Sequence, residues 1–246
     1  MIRPAEYPEV AMEAYEGKAK IVRIVGEDDV EIFYKDDATA FNGQKHEQFA
    51  GKGALNSRIT ELLFRYLEDR GVPTHHRGRL DERTLAARRV RIVPLEVVVR
   101  FLVAGSLEKR TGLDYLTPCD PPIVEFYYKR DDLGDPLLND EHIRLLGLAT
   151  EAEVSELGAR SVAAARHLQS LFARAGIDLV DLKFEFGRTP DGLLLADEIS
   201  PDTCRFRDAA TGEILDKDLF RFGKGDLVAG YRTLLERLEA ALPGAV

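Results

Sequence analysis

The chain has 246 residues, 45% of them hydrophobic and 31% charged, with a formal net charge of −9. That length can bury one large core or two lobes sharing a cleft, and no low-complexity tract or fixed-period repeat points to disorder or a solenoid. The acidic balance argues against a nucleic-acid-binding surface while leaving room for local basic pockets, so a small anionic metabolite suits the chain better than a polymer.

Cys119 and Cys204 are the only cysteines, far apart and in no ligand spacing, which gives neither a disulfide framework nor a zinc site. A reducing cytoplasm is the expected home. Met1-Ile2-Arg3-Pro4-Ala5-Glu6 has no apolar signal core, and no segment approaches the roughly 20 apolar residues that span a bilayer, so no membrane association is expected.

In chain order, Tyr15 to Val25 reads as a strand that turns at Gly26-Glu27-Asp28-Asp29 into a second, Val30 to Lys35. Lys18 and Lys20, two apart, are expected on one face beside Gly17, where a ligand can approach the backbone; the alternative is a solvated lysine pair. Asp36 to Gly43 is a loop with an Asn42-Gly43 turn signal. The helix that follows Gly51-Lys52-Gly53 sets Leu55, Ile59, Leu62, Leu63, Tyr66 and Leu67 on one face and stops at Gly71 with Pro73 beyond. Gly51-Lys52-Gly53 lacks the upstream Gly spacing and the Ser or Thr of a P-loop, and Gly223-Lys224-Gly225 lacks the third Gly of a dinucleotide fingerprint. His75-His76 has no partner at ligand spacing and is expected at the surface.

Arg88 to Phe101 is strand-like, broken at Pro94, with Leu95-Glu96-Val97-Val98-Val99-Arg100 expected to be buried on both faces. After Ala104-Gly105, Ser106 stands at the expected N-cap of a helix, whose start offers N–H groups to an anion; with Arg100 it makes a candidate phosphomonoester cradle, the alternative being an ordinary capped helix. Ile123 to Lys129 is a further strand, and Arg130 to Pro136 an acidic loop. Thr150 and Glu153 form a capping box for a helix running to about Ala175 and closed by Gly176, with Val154, Leu157, Ala164, Leu168 and Phe172 as its core stripe. The last helix carries Leu227, Tyr231, Leu234, Leu238 and Leu242 on one face.

Between those helices lies the most informative stretch. In Leu179 to Gly187, Val180, Leu182, Phe184 and Phe186 alternate with Asp181, Lys183 and Glu185, the period of a strand with one buried face and one charged face. Pro190-Asp191-Gly192 suits a three-residue hairpin loop, which sets Thr189 against Leu193 and Glu185 against Asp197. Opposed carboxylates destabilise a ladder unless a cation lies between them, and hard oxygen ligands point to Mg²⁺; a solvated charged face is the alternative. A four-residue loop would instead place Ala196 opposite Glu185. Lys183 on the same face and the loop Ser200-Pro201-Asp202-Thr203-Cys204-Arg205 favour a phosphate and metal site. Strands in the first third and long helices around the hairpin make the fold class α+β with two lobes.

Four ordered segments, Tyr15 to Lys20, Leu95 to Arg100 with Ala104-Gly105-Ser106-Leu107, Leu179 to Gly187, and Ala196 to Thr203, together resemble the SAICAR synthetase family over nearly the whole chain. The resemblance implies a ligase that uses ATP and Mg²⁺ to join carboxyaminoimidazole ribotide (CAIR) to L-aspartate, releasing ADP and phosphate. It implies a small antiparallel β-rich lobe, residues 1–94, over a larger α+β lobe, residues 95–246, with ATP in a kinase-like or ATP-grasp-like cleft, and a homodimer is the expected assembly. By the same likeness Lys18, Lys20 and Lys129 approach the nucleotide, Glu185 and Asp197 serve the metal, Arg100, Ser106 and Arg205 hold the CAIR phosphate, and Asp181 and Lys183 sit beside the reacting groups. Phe101 stands where many members have Asn, and Arg207 near a family Trp. Two rival readings are a small-molecule kinase and a catalytically dead nucleotide-binding regulator; aspartate-dependent, Mg²⁺-dependent ADP release separates them from the ligase.

Overall fold

The structure, a computed structural model, describes residues 14–40 and 43–242; the Met1 to Glu6 segment and Asn42 of the expected Asn-Gly turn lie outside the described residues. The first sheet is antiparallel, in the order β1 (Ala14–Glu16), β2 (Lys20–Ile24), β3 (Asp29–Tyr34), β7 (Thr84–Arg88), β6 (His76–Arg79). The expected single strand from Tyr15 to Val25 is two: the chain folds back at Gly17, Tyr15 pairs with Val22, and the Gly17 N–H donates to the Lys20 carbonyl. Lys18 therefore sits in a hairpin turn and Lys20 on a strand, so the two do not share a strand face. Val30, Ile32, Tyr34, Leu85 and Ala87 form this sheet's own small core. The expected loop from Asp36 is a second hairpin, β4 (Asp37–Ala40) with β5 (Lys45–Gln48).

The second sheet is larger and also antiparallel. Its spine is β11 (Ile177–Thr189), with β8 (Arg91–Leu102), β9 (Pro118–Tyr128) and β10 (Leu137–Leu138) on one side. On the other side β12 (Gly192–Ala196) pairs with the C-terminal end of β11 and β13 (Cys204–Asp208) with its N-terminal end. Residues 197–203 join those two strands, so the sheet's edge opens halfway along β11, where the Lys183 N–H donates to the Thr203 carbonyl. Pro94 does not break β8. It falls where the β8–β11 register shifts between Ile92 and Glu96, a place that requires no ladder N–H from it. The break lies instead at Arg89-Val90, between β7 and β8.

The apolar face of this sheet is covered by α4 (Glu151–Arg174), whose Leu157, Leu168 and Phe172 pack with Leu182, Phe184, Val97 and Val99 in one core. Each such fully buried side chain contributes roughly 1.5–3 kcal/mol. The Thr150–Glu153 capping box starts α4 and Gly176 follows its C-cap, as the sequence indicates. α1 (Lys52–Glu68) and α6 (Leu227–Ala241) join the same core through Ile59, Leu63, Leu67, Leu234 and Leu238. The expected division between residues 94 and 95 thus falls inside β8, and α1 belongs with the larger core although it precedes that point. Short helices α2 (Ser106–Thr111), α3 (Asp140–Leu145) and α5 (Asp218–Phe222) complete the described chain. No described helix is long and apolar enough to cross a membrane.

Candidate functional site

The charged face of β11 forms the floor of a cleft of about 710 Å³. It is not a solvated surface, because Asp181 and Glu185 are 3% and 2% exposed. Burying carboxylates this far requires matched cations, and the sheet supplies them in two groups.

At the C-terminal end of the floor, Glu185 lies directly opposite Glu96 of β8. Lys183 Nζ bridges the two, 2.7 Å from Glu96 Oε1 and 2.8 Å from Glu185 Oε1, and Lys129 Nζ reaches both Glu185 oxygens at 2.7 Å. Opposed carboxylates with a cation between them are therefore present, but the pair is Glu185 and Glu96. The expected Glu185–Asp197 pairing is not formed: Thr189 pairs with Gly192, so only Pro190 and Asp191 form the turn and Ala196 faces Glu185. Asp197 still reaches the cleft. Its φ of 64° turns the chain out of the strand's alternation, a conformation that Asp tolerates better than most residues, and its carboxylate takes a hydrogen bond from Lys20. Lys20 also lies 2.9 Å from Glu198 Oε1. Burial opposes the Lys20 charge, but Asp197 and Glu198 outweigh it and raise the pKa; burial likewise opposes the Asp197 carboxylate, and Lys20, Lys183 and Lys129 outweigh it and lower the pKa. Lys18 is more exposed, 2.6 Å from Asp131.

At the N-terminal end, Asp181 pairs across the sheet with Arg100 on β8 and with Arg205 on β13. Arg100 Nη1 donates to Asp181 Oδ2 at 2.6 Å and Arg205 Nη1 to the same oxygen at 2.9 Å. Arg100 is held further by Glu125 (Nε to Oε2, 2.7 Å), Ser106 Oγ (3.0 Å) and Tyr127 OH (3.2 Å), and Arg205 by Asp218 (3.0 Å). Of the Arg100 donors, the Nη2 pair meets only neutral hydroxyls, which an anion can displace. Gly105 makes room here: with φ 60°, a Cβ added to it would lie 2.7 Å from Arg205 Nη2. Ser106 is not the N-cap. Gly105 occupies that position without a side-chain cap, and Ser106 is the first helical residue, its hydroxyl turned to Arg100 and Tyr127.

All ten residues singled out from the sequence line this one cleft, together with several that sequence reasoning missed. Glu96 and Val98 are on its floor, so Leu95 to Arg100 has one core face and one cleft face rather than two core faces; the alternation of Glu96 and Arg100 with Leu95, Val97 and Val99 carried that signal. Glu198 and Asp202 lie in the segment from Ala196 to Arg205 that the sequence singled out without giving them a role, whereas Lys217 and Arg221 come from a segment without period and had no comparable signal. His75 is not at the surface. It is 5% exposed, and burial pushes its pKa down to about 4 despite the pull of Asp197. Phe101, by contrast, is in the core, and Arg207 stacks over Tyr115, so neither departure from the family pattern touches the cleft wall.

A wall of ammonium, guanidinium and carboxylate groups on an antiparallel α/β scaffold defines an enzyme that gathers several anions and acts on them by position and charge. A family model described as SAICAR synthetase matches residues 13–238, and the chain belongs to that family. It is 51% identical to the phosphoribosylaminoimidazole-succinocarboxamide synthase of Thermococcus kodakarensis, over 94% of this chain and 99% of that one. With the enzyme of the same name from Exiguobacterium sibiricum it shares 53% identity, over 91% and 96% of the two chains. A solved structure, a SAICAR synthetase in complex with ADP, superposes with a TM-score of 0.91 at 45% identity, covering 93% of this chain and 98% of that one.

Proposed function

We propose that the chain condenses CAIR with L-aspartate in purine biosynthesis, using ATP and releasing ADP and phosphate, through an acyl phosphate formed on the CAIR carboxylate. The single observation that carries this reading is the spacing of the two charge groups. Asp181 and Glu185 are four residues apart on one strand, roughly 13 Å at about 3.3 Å per residue, which suits a ribotide with its phosphate at one end and its reacting carboxylate at the other.

In this reading Arg205, Ser106 and the Nη2 edge of Arg100 bind the ribotide phosphate, and Asp181, expected beside the reacting groups, instead holds the two arginines in register. Lys18, Lys20 and Lys129 bind the nucleotide phosphates, and Lys183 stands beside the carboxylate that is phosphorylated. The first sheet, within residues 1–94, forms the ATP-binding lobe, and residues 95–246 form the substrate lobe across a kinase-like cleft. Glu185 and Asp197 fit magnesium by donor chemistry, both being carboxylate oxygen ligands on the cleft wall, and the ion would take the place of ammonium groups that now contact them. Among the described residues no trio of His, Cys, Asp or Glu could cage a metal, so the ion would complete its shell with phosphate oxygens and water, as magnesium commonly does. When bound, it supplies charge neutralisation to the triphosphate. A homodimer in the cytoplasm completes the proposal, and light scattering on the purified protein tests the assembly.

The chemistry balances without a covalent enzyme intermediate. A carboxylate is a poor electrophile, so a CAIR carboxylate oxygen attacks the terminal phosphorus of ATP and ADP leaves. The aspartate amine, having lost a proton, attacks the carboxyl carbon; the C–O bond breaks and phosphate departs with that oxygen. The chain's contribution is orientation and fixed positive charge. A coupled ADP-release assay with CAIR, comparing aspartate with other amino acids, tests the substrates. Heavy oxygen in the CAIR carboxylate is expected to place one labelled atom in the released phosphate; AMP as product, or unlabelled phosphate, overturns the mechanism.

A further inference from the structure

Among the described residues, every cation on the cleft wall is hydrogen-bonded to a carboxylate except one. Lys18, Lys20, Lys129 and Lys183 each have an acid partner, as do the arginines. Lys217 does not. Its side chain is 12% exposed, and its Nζ lies 4.0 Å from Asp202 Oδ2, beyond hydrogen-bond reach. Asp202 is engaged elsewhere: Oδ2 accepts from Lys52 at 2.5 Å and Oδ1 from the Tyr231 hydroxyl at 2.6 Å. Among the described residues the Lys217 ammonium makes no hydrogen bond at all. Three donors on a largely buried cation that lines a substrate cleft, unmet by the protein, suit an anionic acceptor from outside the chain.

The location narrows that acceptor. Lys217 is tied to the loop between β12 and β13 by its own N–H, which donates to the Pro201 carbonyl at 3.1 Å. The same loop lies against Lys183 through Thr203, and Arg221, one turn further along, also faces the cleft. Lys217 is thus on the cleft wall between the two charge groups: its loop contact leads to Lys183, its neighbour Asp218 holds Arg205, and it is on a different element from the Arg100–Ser106–Tyr127 group. Resting on the ligase reading above, we infer that Lys217 is the specificity residue that receives a carboxylate of the amine substrate. A dicarboxylic amino acid needs such a cation to be told from its neutral amide, since a buried donor left unpaired penalises the wrong substrate. Burial, joined by the nearby Lys52 and Arg221 charges, lowers the Lys217 pKa against the pull of Asp202, consistent with an ammonium whose counter-ion arrives only with substrate.

The test is steady-state kinetics of Lys217→Met and Lys217→Arg in the full chain. The wild type must first turn over CAIR, ATP and L-aspartate; if it does not, the ligase reading itself fails. Given turnover, Lys217→Met is expected to raise KM for L-aspartate about tenfold or more, with KM for CAIR and ATP nearly unchanged, and to narrow the preference for aspartate over asparagine. Lys217→Arg, which keeps the charge, should recover part of the loss. An unchanged KM for aspartate, or a rise confined to CAIR, overturns the assignment. Should Lys217→Met fold poorly, Lys217→Gln decides, because an unchanged KM for aspartate or a CAIR-only defect there refutes the inference.

Discussion

Replacing Asp181 by asparagine keeps the side chain's shape and removes the charge that holds two arginines. The wild-type carboxylate accepts from Arg100 at 2.6 Å and from Arg205 at 2.9 and 3.2 Å, in a site 3% exposed. Each charge-assisted bond is worth roughly 1.5–3 kcal/mol net. Arg100 retains Glu125, Arg205 retains Asp218, and the amide oxygen can keep one of the lost contacts, so the expected loss is about 2–3 kcal/mol rather than the sum. Urea denaturation measures it as a lowered midpoint at unchanged m-value. Arg205, with a single anchor left, loses its register, and KM for CAIR is expected to rise on the order of tenfold while KM for ATP moves little. Wild-type stability together with a wild-type KM for CAIR would show that Asp181 positions neither arginine.

Other perturbations test separate parts of the site. Asp197→Asn is expected to lower kcat on the order of 10²-fold with little loss of fold, since Lys20 keeps Glu198; near-normal turnover at ordinary magnesium rejects its metal role. Gly105→Ala strains a residue at φ 60° and drives a Cβ into the Arg205 guanidinium, so about 1–2 kcal/mol of stability and some CAIR affinity should be lost together, read by melting and by KM. Lys52→Met removes the 2.5 Å partner of the buried Asp202 carboxylate and leaves it the Tyr231 hydroxyl and the Lys217 charge 4.0 Å away, so about 1.5–3 kcal/mol should disappear in urea titrations. For Glu153, the hydrogen bond from Arg188, then that from Thr150, pushes the pKa from 4.5 down to about 2. A carboxyl depressed in the fold stabilises above its unfolded pKa and loses that contribution as pH falls through the folded one, so the stability gap between wild type and Glu153→Gln should shrink between pH 4.5 and 2.

The long helices α1, α4 and α6 were legible because their signals are local. A Thr and a Glu three residues apart fix the start of α4, a Gly in the left-handed region fixes its end, and an apolar stripe at helical period fixes its buried face. Strand breaks were less so. Gly17 folds β1 back on β2 within a run that reads as continuous, and Pro94 looks like a break but sits at a register shift where its missing N–H costs nothing. Neither outcome depends on the residue alone; both depend on which strand lies alongside, which period and propensity do not encode.

The candidate site follows the same division. Alternation along β11 placed Asp181, Lys183 and Glu185 on one face, and that face is the cleft floor. The step that failed was the hairpin register, because a turn of Pro190 and Asp191 closes on Thr189 and Gly192 and shifts every pairing by one. Yet the electrostatic argument that motivated it survives the shift. Two carboxylates do face each other across the ladder, and a cation does lie between them, but the partner comes from β8, 89 residues earlier in the chain, and the cation is Lys183 itself. A like-charge pair on the cleft floor, with Glu185 buried and Glu96 partly so, therefore demanded a cation whichever strand supplied the second acid. Local sequence could state that demand; only the long-range pairing of β8 with β11 could say that Glu96 creates it and Lys183 meets it.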